Sequence, residues 1–268
     1  MNYSNINTKN TLDFKITNEP YLIKSYAVSW YAYKNWSFDY LKNLDSELLV
    51  NTIKGYYSEK MEIIPCKLKD YIEKILKNDT STYLALFHIF KAFPDLKKHI
   101  EYTEIKKHSI YYNLLSWIGP KGAMTGFHAD WSENINISIK GEKFFYLVSP
   151  EYNKCMYPSE KFERATTLSQ VNLKKVDENK FPLFKNAKII KVNLKEGDAL
   201  YIPRGWWHCA EALTPTINIS LHYWNFINFF RDLAFHASKM LLHNVGLYKK
   251  NNCVCHVYNK EGKRLIRS

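Results

Sequence analysis

Thr125-Gly126-Phe127-His128-Ala129-Asp130 and, eighty residues further on, Gly205-Trp206-Trp207-His208 supply two imidazoles and one carboxylate. That is the ligand set of a non-haem Fe(II) centre, with one face of the octahedron left open. An iron that is to activate O2 needs that open face for a chelating cosubstrate and for oxygen. An H-x-D triplet on its own is weak, because it recurs by chance in chains of this length. Its setting adds to it: His128 and Asp130 are two apart, so on a strand they share a face, whereas on a helix they would diverge.

The flanking residues do read as strands. Residues 134–140 (NINISIK) alternate, stop at Gly141 and resume at 143–148 (KFFYLV) before Pro150, a pattern that predicts a two-strand hairpin. Residues 188–194 (KIIKVNL), the turn Glu196-Gly197-Asp198 and residues 199–203 predict a second pair, which delivers His208 at a strand end. The connection between the pairs, 151–187, is long enough to serve as a lid or substrate-binding segment. Upstream, residues 17–110 mix short strands with helices at 37–44 and 68–76, and residues 1–16 read as a mobile arm. Downstream, Phe226, Phe230, Leu233, Ala237, Met240 and Leu241 recur at helical spacing and Gly246 closes the run, predicting an amphipathic helix over 225–245.

A chain of 268 residues suits one domain with additions better than two. It has no run of eighteen apolar residues, and its first residues (MNYSNINTKN) lack an apolar signal core, so an intracellular, soluble protein with no membrane partner is expected. The five cysteines are odd in number and irregularly spaced, which argues for thiols over a disulfide framework. Cys253-Val254-Cys255-His256 carries soft-metal donors, but two sulfurs flanking one residue in a polar tail are more often unligated. A net charge of +12 attracts nucleic acid through long-range electrostatics. The lysines are scattered, however, without an arginine-rich block, and read as compositional bias, so nucleic acid is not the favoured partner.

The segments WIGPKGAMTGFHADWSENINISIKGEKFFYLVSP, FPLF, LKEGDALYIPRGWWHCAEAL and TINISLHYW resemble the JmjC-type, cupin-like 2-oxoglutarate oxygenases, the small hydroxylase branch more than the large histone demethylases. SWYAYKNWSFDYLKNL and TYLALFHIFKAFPDLKKHI extend the likeness upstream, to roughly residues 15–230. The resemblance implies a mainly β chain with α additions. A double-stranded β-helix (jelly-roll, cupin) barrel would occupy 111–224, after an arm at 1–16 and α/β elements at 17–110, and before a C-terminal helix and tail at 225–268. In related hydroxylases such a helix dimerises; here it would either cover a barrel end or form a homodimer.

The resemblance also implies Fe(II) on His128, Asp130 and His208, with 2-oxoglutarate chelating the iron. The distal carboxylate of the cosubstrate would be held by Lys143, which stands where that branch carries its cosubstrate lysine, together with Thr125 and Tyr83. Lys140, whose counterpart lies in a turn, is the internal control. Asn134 matches a polar barrel residue near the cosubstrate. His222 departs from the pattern, standing where relatives place a small polar group, and either brings an extra imidazole near the iron or fills space. Trp117 and Trp224 match aromatics that sandwich a guanidinium by cation–π contact in arginyl-hydroxylating members, yet the substrate-binding glutamate of those members has no counterpart around residues 49–57. The expected function is a dioxygenase that hydroxylates a side chain of a protein or peptide and releases succinate and CO2. The alternatives are the same chemistry on tRNA or a small metabolite, N-methyl-lysine demethylation, and a non-catalytic cupin-like binding protein.

Overall fold

Strands that alternate polar and apolar residues present two faces to two environments, and in this chain the two environments are a barrel interior and a layer of helices. The computed structural model describes residues 3–4, 6–12, 17–54, 62–258 and 264–266. Its strands are β1 (Tyr3–Ser4), β2 (Asn7–Lys9), β3 (Tyr21–Ile23), β4 (Leu49–Lys54), β5 (Glu62–Lys67), β6 (Thr82–Phe87), β7 (Tyr111–Gly119), β8 (Met124–Asp130), β9 (Glu133–Lys140), β10 (Lys143–Val148), β11 (Thr166–Leu168), β12 (Ile189–Leu194), β13 (Ala199–Ile202), β14 (Trp207–Ala212) and β15 (Thr216–Trp224), with a further short pair, His256–Tyr258 and Arg264–Ile266, near the C-terminus. One sheet runs β1-β12-β10-β14-β8-β11 and the other β2-β3-β13-β9-β15-β7-β6-β4-β5. Facing one another, they make the jelly-roll barrel.

The strands at 134–140, 143–148, 188–194 and 199–203 form where the alternation predicts them, but not as two hairpins. β9 pairs with β13 and β15, while β10 pairs with β12 and β14 in the opposite sheet. A strand pair joined by a tight turn and a strand that crosses between sheets carry the same alternation, and pairing beyond the turn separates them. Here β9-β10 and β12-β13 are two long antiparallel runs lying side by side, both bent at one corner. At that corner Gly197 N–H donates to Ser138 O at 2.8 Å, and Gly141 N–H donates to the Glu196 carboxylate at 3.0 Å.

On β9 and β15 the apolar residues face outward. Ile135, Ile137, Ile217, Ile219 and Leu221 pack with Trp36, Leu41, Leu68 and Ile72 of the N-terminal segment, each buried aliphatic side chain contributing about 1.5–3 kcal/mol. Two short helices supply that cover. Phe38–Lys42 is capped by Ser37, whose hydroxyl accepts from Tyr40 N–H, and Leu68–Leu76 buries Leu68, Tyr71, Ile72 and Ile75. By the period of two, Asn134, Asn136 and Ser138 of β9 and Asn218, Ser220 and His222 of β15 face the barrel interior.

The connection at 151–187 is ordered along the smaller sheet. β11 pairs with β8, Thr166 opposite Asp130, and Met156, Val171, Phe181 and Phe184 cover Phe127 and Trp207. Within the stretch read as a mobile arm, Tyr3–Ser4 pairs in parallel with β12 and Asn7–Lys9 with β3; residues 1–2, 5 and 13–16 lie outside the described residues. The helix expected over 225–245 is two, Phe226–Phe235 and Ala237–Asn244. They meet at His236, whose ring stacks on Trp131 at 3.7 Å between centroids. Polar contacts dock the first of them: Arg204 pairs with Asp232 at 2.5 Å, and Asn228 donates to Glu133 at 3.0 Å. Among the described residues no helix is long and apolar enough to cross a membrane.

The corner sets a stability prediction. Gly141 has φ +76°, and a Cβ there would stand 2.2 Å from the Pro215 carbonyl, whereas Gly122, with φ +82°, has nothing within 4 Å. Gly122→Ala is expected to cost about 1 kcal/mol from the left-handed backbone alone, and Gly141→Ala at least about 3 kcal/mol, read as a lower urea midpoint at unchanged slope.

Candidate metal centre

β8 and β14 are antiparallel neighbours with His128 opposite His208, so the two imidazoles project into the barrel side by side, their ring centroids 4.0 Å apart. His128 Nδ1–H donates to the Gly126 carbonyl at 2.8 Å, and His208 Nδ1–H donates to the Trp206 carbonyl at 3.0 Å. A carbonyl only accepts, so both Nδ1 atoms hold the proton and both Nε2 lone pairs point inward, the tautomer in which histidine ligates metal. Asp130, two residues after His128 on the same face, brings Oδ1 to 3.9 Å from His128 Nε2 and Oδ2 to 3.5 Å from His208 Nε2. All three residues are buried.

The protonation states also suit a cation. Burial pushes His208 down to about 3, with His128 adding to the effect. Burial alone would raise the Asp130 carboxyl, but the imidazoles of His222, His208 and His128 and the Asn134 amide outweigh it and hold the acid below its ordinary range. Neutral imidazoles and an ionised carboxylate are what a divalent metal requires. Asn134 Nδ2 donates to Asp130 Oδ2 at 2.9 Å, and Asn136 Nδ2 donates to Asn134 Oδ1 at 3.1 Å. Asn134 therefore orients the Asp130 carboxylate. His222 does bring a third imidazole to the site: its Nδ1 lies 3.0 Å from Ser132 Oγ and 3.6 Å from Asp130 Oδ2, and its buried Nε2 has no hydrogen-bond partner among the described residues.

Lys143, Tyr83 and Thr125 converge deeper in the barrel. Lys143 is 3% exposed, its ammonium donates to the Tyr83 hydroxyl at 3.2 Å, and Tyr83 shares a hydrogen bond with Thr125. Burial pushes Lys143 down to about 7, and no carboxylate among the described residues offsets it. Thr125 reaches this group through a β-bulge: Gly126 and Phe127 of β8 stand opposite Cys209 alone on β14, which returns Thr125 to the face carrying His128. Lys140, by contrast, pairs with Glu196 at 3.0 Å on the barrel surface.

A cavity of about 690 Å³ opens over His128 and Asp130. Trp117 and Trp224 both line it, but they do not form a sandwich. Trp117 pairs with Asn218, six residues before Trp224 on β15, which sets the two about 20 Å apart along the strand, whereas cation–π contact needs a charge within about 6 Å of each ring. Trp117 packs on Tyr83, its Nε1 donating to Ser220 Oγ at 2.8 Å, and so belongs to the lysine end. Trp224 lies at the other end, beside Tyr111, its Nε1 donating to Asp232.

Tyr111 and Asn113 also line the cavity, and their spacing from Trp117 by even numbers on one strand was the signal that could have found them. Glu163, Arg164, Met240 and Cys255 complete a wall that no local pattern announces. Leu86 and Ala165, also in the lining, have φ of 56° and 55°.

A model of the cupin-like domain family matches residues 11–230. The chain is 30% identical over 232 residues to JmjC domain-containing protein D of Dictyostelium discoideum, covering 77% of this chain and 52% of that protein. It is 27% identical over 241 residues to JmjC domain-containing protein A of the same organism, covering 81% and 92%, and 27% identical over 219 residues to Lysine-specific demethylase 8 of Xenopus tropicalis, covering 77% and 48%. The chain spans about half the length of the first and third of these curated relatives.

The geometry around Asp130 separates ligand from support. Asp130→Ala is expected to abolish measurable Mn(II) binding in anaerobic titration, while Asn134→Ala weakens it about 10- to 100-fold by releasing the carboxylate from its donor. Equal affinities for wild type and Asn134→Ala would contradict that role.

Proposed function

The chain belongs to the cupin-like domain family in its JmjC form, a family of Fe(II)- and 2-oxoglutarate-dependent oxygenases, and on that premise we propose that it hydroxylates a side chain of a protein or peptide. The observation that carries the reading is the pairing of two buried charges-in-waiting. A carboxylate with two inward imidazole lone pairs asks for a divalent cation, and deeper in the same barrel a buried lysine with no described carboxylate partner asks for an anion. A 2-oxo diacid bound to iron answers both.

In this reading His128, Asp130 and His208 hold Fe(II) on one face, and Lys143, Thr125 and Tyr83 hold the distal carboxylate of 2-oxoglutarate. Bound there, the iron and cosubstrate supply O2 activation coupled to oxidative decarboxylation, giving succinate, CO2 and one oxygen atom for a C–H bond of the substrate. The residues of the chain position the reactants. Asn134 fixes the carboxylate ligand, the backbone carbonyls of Gly126 and Trp206 fix the two imidazoles, and Trp117 packs against Tyr83 to hold the carboxylate pocket. The cavity between Tyr111 and Arg164 admits a side chain, and residues 163–166 of the long connection, which line it, support a substrate-binding role for that connection. Exposed Phe226, Ile227 and Leu242 support a homodimer through the C-terminal helices.

A relative named as a lysine-specific demethylase favours a second reading, in which the oxidised carbon is an N-methyl group. One experiment separates the two. Purified protein with Fe(II), ascorbate and 2-oxoglutarate is offered pools of unmodified and N-methyl-lysine peptides, and products are read by intact mass. Gain of one oxygen on an unmodified peptide is the expected result, and loss of a methyl group would replace hydroxylation by demethylation. Succinate formation stimulated by tRNA alone would remove the polypeptide substrate.

The lysine sets a pH prediction. Its pKa is about 7 without cosubstrate, and a bound carboxylate must raise it, so binding takes up a proton. Affinity for 2-oxoglutarate, measured calorimetrically with Mn(II), is therefore expected to be greatest below pH 7 and to fall by up to about tenfold per pH unit above it. Lys143→Arg should flatten that profile. Lys143→Ala is expected to weaken binding about a hundredfold, on the order of 3 kcal/mol, and Lys140→Ala to leave it unchanged; equal losses in the two would remove the assignment.

A further inference from the structure

Beyond Gly246 the chain turns back toward the cavity. The Lys249 ammonium donates to the Glu160 carbonyl. Phe162 N–H donates to Asn252 O and Val254 N–H to Phe162 O, each at 2.9 Å, so that Cys253 lies beside Phe162 as a parallel bridge. Val254 then packs with Tyr83, Trp117 and Leu168, and Cys255 lines the cavity that also exposes His128 and Asp130. The residues that lead in, Lys249-Lys250-Asn251-Asn252, bring little apolar surface, so the path is held by the backbone pairing with Phe162 and by the buried Val254 and Cys255.

Where the tail passes the helix Ala237–Asn244, three metal donors converge. His243 Nε2, Cys253 Sγ and Cys255 Sγ all lie within 4.8 Å of one another, and Cys255 Sγ is 3.3 Å from His243 Nε2. Nitrogen and sulfur ligands of one tetrahedral Zn(II), at about 2.0 and 2.3 Å from the ion, stand about 3.5 Å apart. His243 is fully buried, and its Nδ1–H donates to the Tyr248 carbonyl at 2.6 Å. That bond fixes the tautomer and turns the Nε2 lone pair toward sulfur, the same device that orients His128 and His208. The helix supplies the imidazole, which the C-x-C sequence alone does not reveal.

We propose that His243, Cys253 and Cys255 bind a soft divalent cation, Zn(II) by preference, as a structural clip that fastens residues 252–255 to the wall of the cavity. Two thiolates and an imidazole select Zn(II) over the harder Fe(II) that suits the oxygen-bearing triad. The two thiol protons leave as the metal binds, and the resulting cluster of one dication, two thiolates and a neutral imidazole carries no net charge into the buried site. The fourth tetrahedral position remains for water or another donor. The clip shares no residue with the triad and does not depend on the oxygenase reading.

The test is metal content and spectrum of the full chain purified under reducing conditions without chelator. One equivalent of zinc is expected in wild type and in Asp130→Ala, and its loss in Cys253→Ser/Cys255→Ser. Cobalt reconstitution should give intense near-ultraviolet thiolate-to-cobalt absorption in the first two proteins and none in the third; the triad, having no sulfur, cannot produce it. Should the double variant fail to fold, wild type alone decides: Zn(II) should protect Cys253 and Cys255 from alkylation relative to Cys66 and Cys155, and a chelator should remove the protection. Absence of the thiolate band in reconstituted wild type, alkylation indifferent to zinc, or a Cys253–Cys255 disulfide in the reduced preparation would each overturn the clip.

Discussion

An ionised carboxylate buried among imidazoles is the constraint on which this structure turns. Taking the Asp130 anion out of water costs several kcal/mol unless it is paired and hydrogen-bonded. The barrel meets part of that cost with the Asn134 amide at 2.9 Å and Asn136 behind it, and leaves the remainder for a cation. The site concentrates ligand capacity: two lone pairs held inward by backbone carbonyls and one negative charge. Lys143 presents the converse, an amine whose charge burial disfavours, pushing its pKa down to about 7, and whose charge a bound anion would restore. Each half lacks what the other half's ligand brings.

That requirement explains an inversion in the strands. β9 and β15 look like ordinary amphipathic strands, yet their polar faces point into the barrel and their apolar faces point out. The arrangement is stable because the outward isoleucines are sealed by the N-terminal helices around Trp36, Leu41 and Ile72, while inside the barrel Asn136 bonds Asn134, Asn134 bonds Asp130, and Ser220 accepts from Trp117 Nε1. The N-terminal segment is therefore part of the barrel's stability, and besides that outer core it supplies Tyr83 beside Lys143 and Ile53, Ala85 and Leu86 to the cavity lining.

Much of this was legible in the sequence. The H-x-D spacing, the strands at 134–140, 143–148, 188–194 and 199–203 and the Leu68–Leu76 helix follow from periodicity and turn residues, whereas His208 stands on a further strand, Trp207–Ala212, and not at the end of the 199–203 strand; the resemblance supplied Lys143, Tyr83 and Thr125 as a group. What escaped reading is non-local. A Gly141 turn between alternating runs is the same text whether the chain doubles back in one sheet or crosses to another. The β-bulge that aligns Thr125 with His128 needs the partner strand. The separation of Trp117 from Trp224 needs the β7–β15 register, and the approach of His243 to Cys253 and Cys255 needs the fold of the tail.

The binding of one Fe(II) by His128, Asp130 and His208, chelated by a 2-oxo diacid anchored at Lys143, can be followed by anaerobic titration of Fe(II) and visible absorption on adding 2-oxoglutarate. A charge-transfer band of the iron–oxo-acid chelate saturating at one equivalent of iron is expected in wild type, with none in Asp130→Ala and a higher half-saturating 2-oxoglutarate concentration in Lys143→Ala. No band in wild type, or a band of the same intensity in Asp130→Ala, would contradict it.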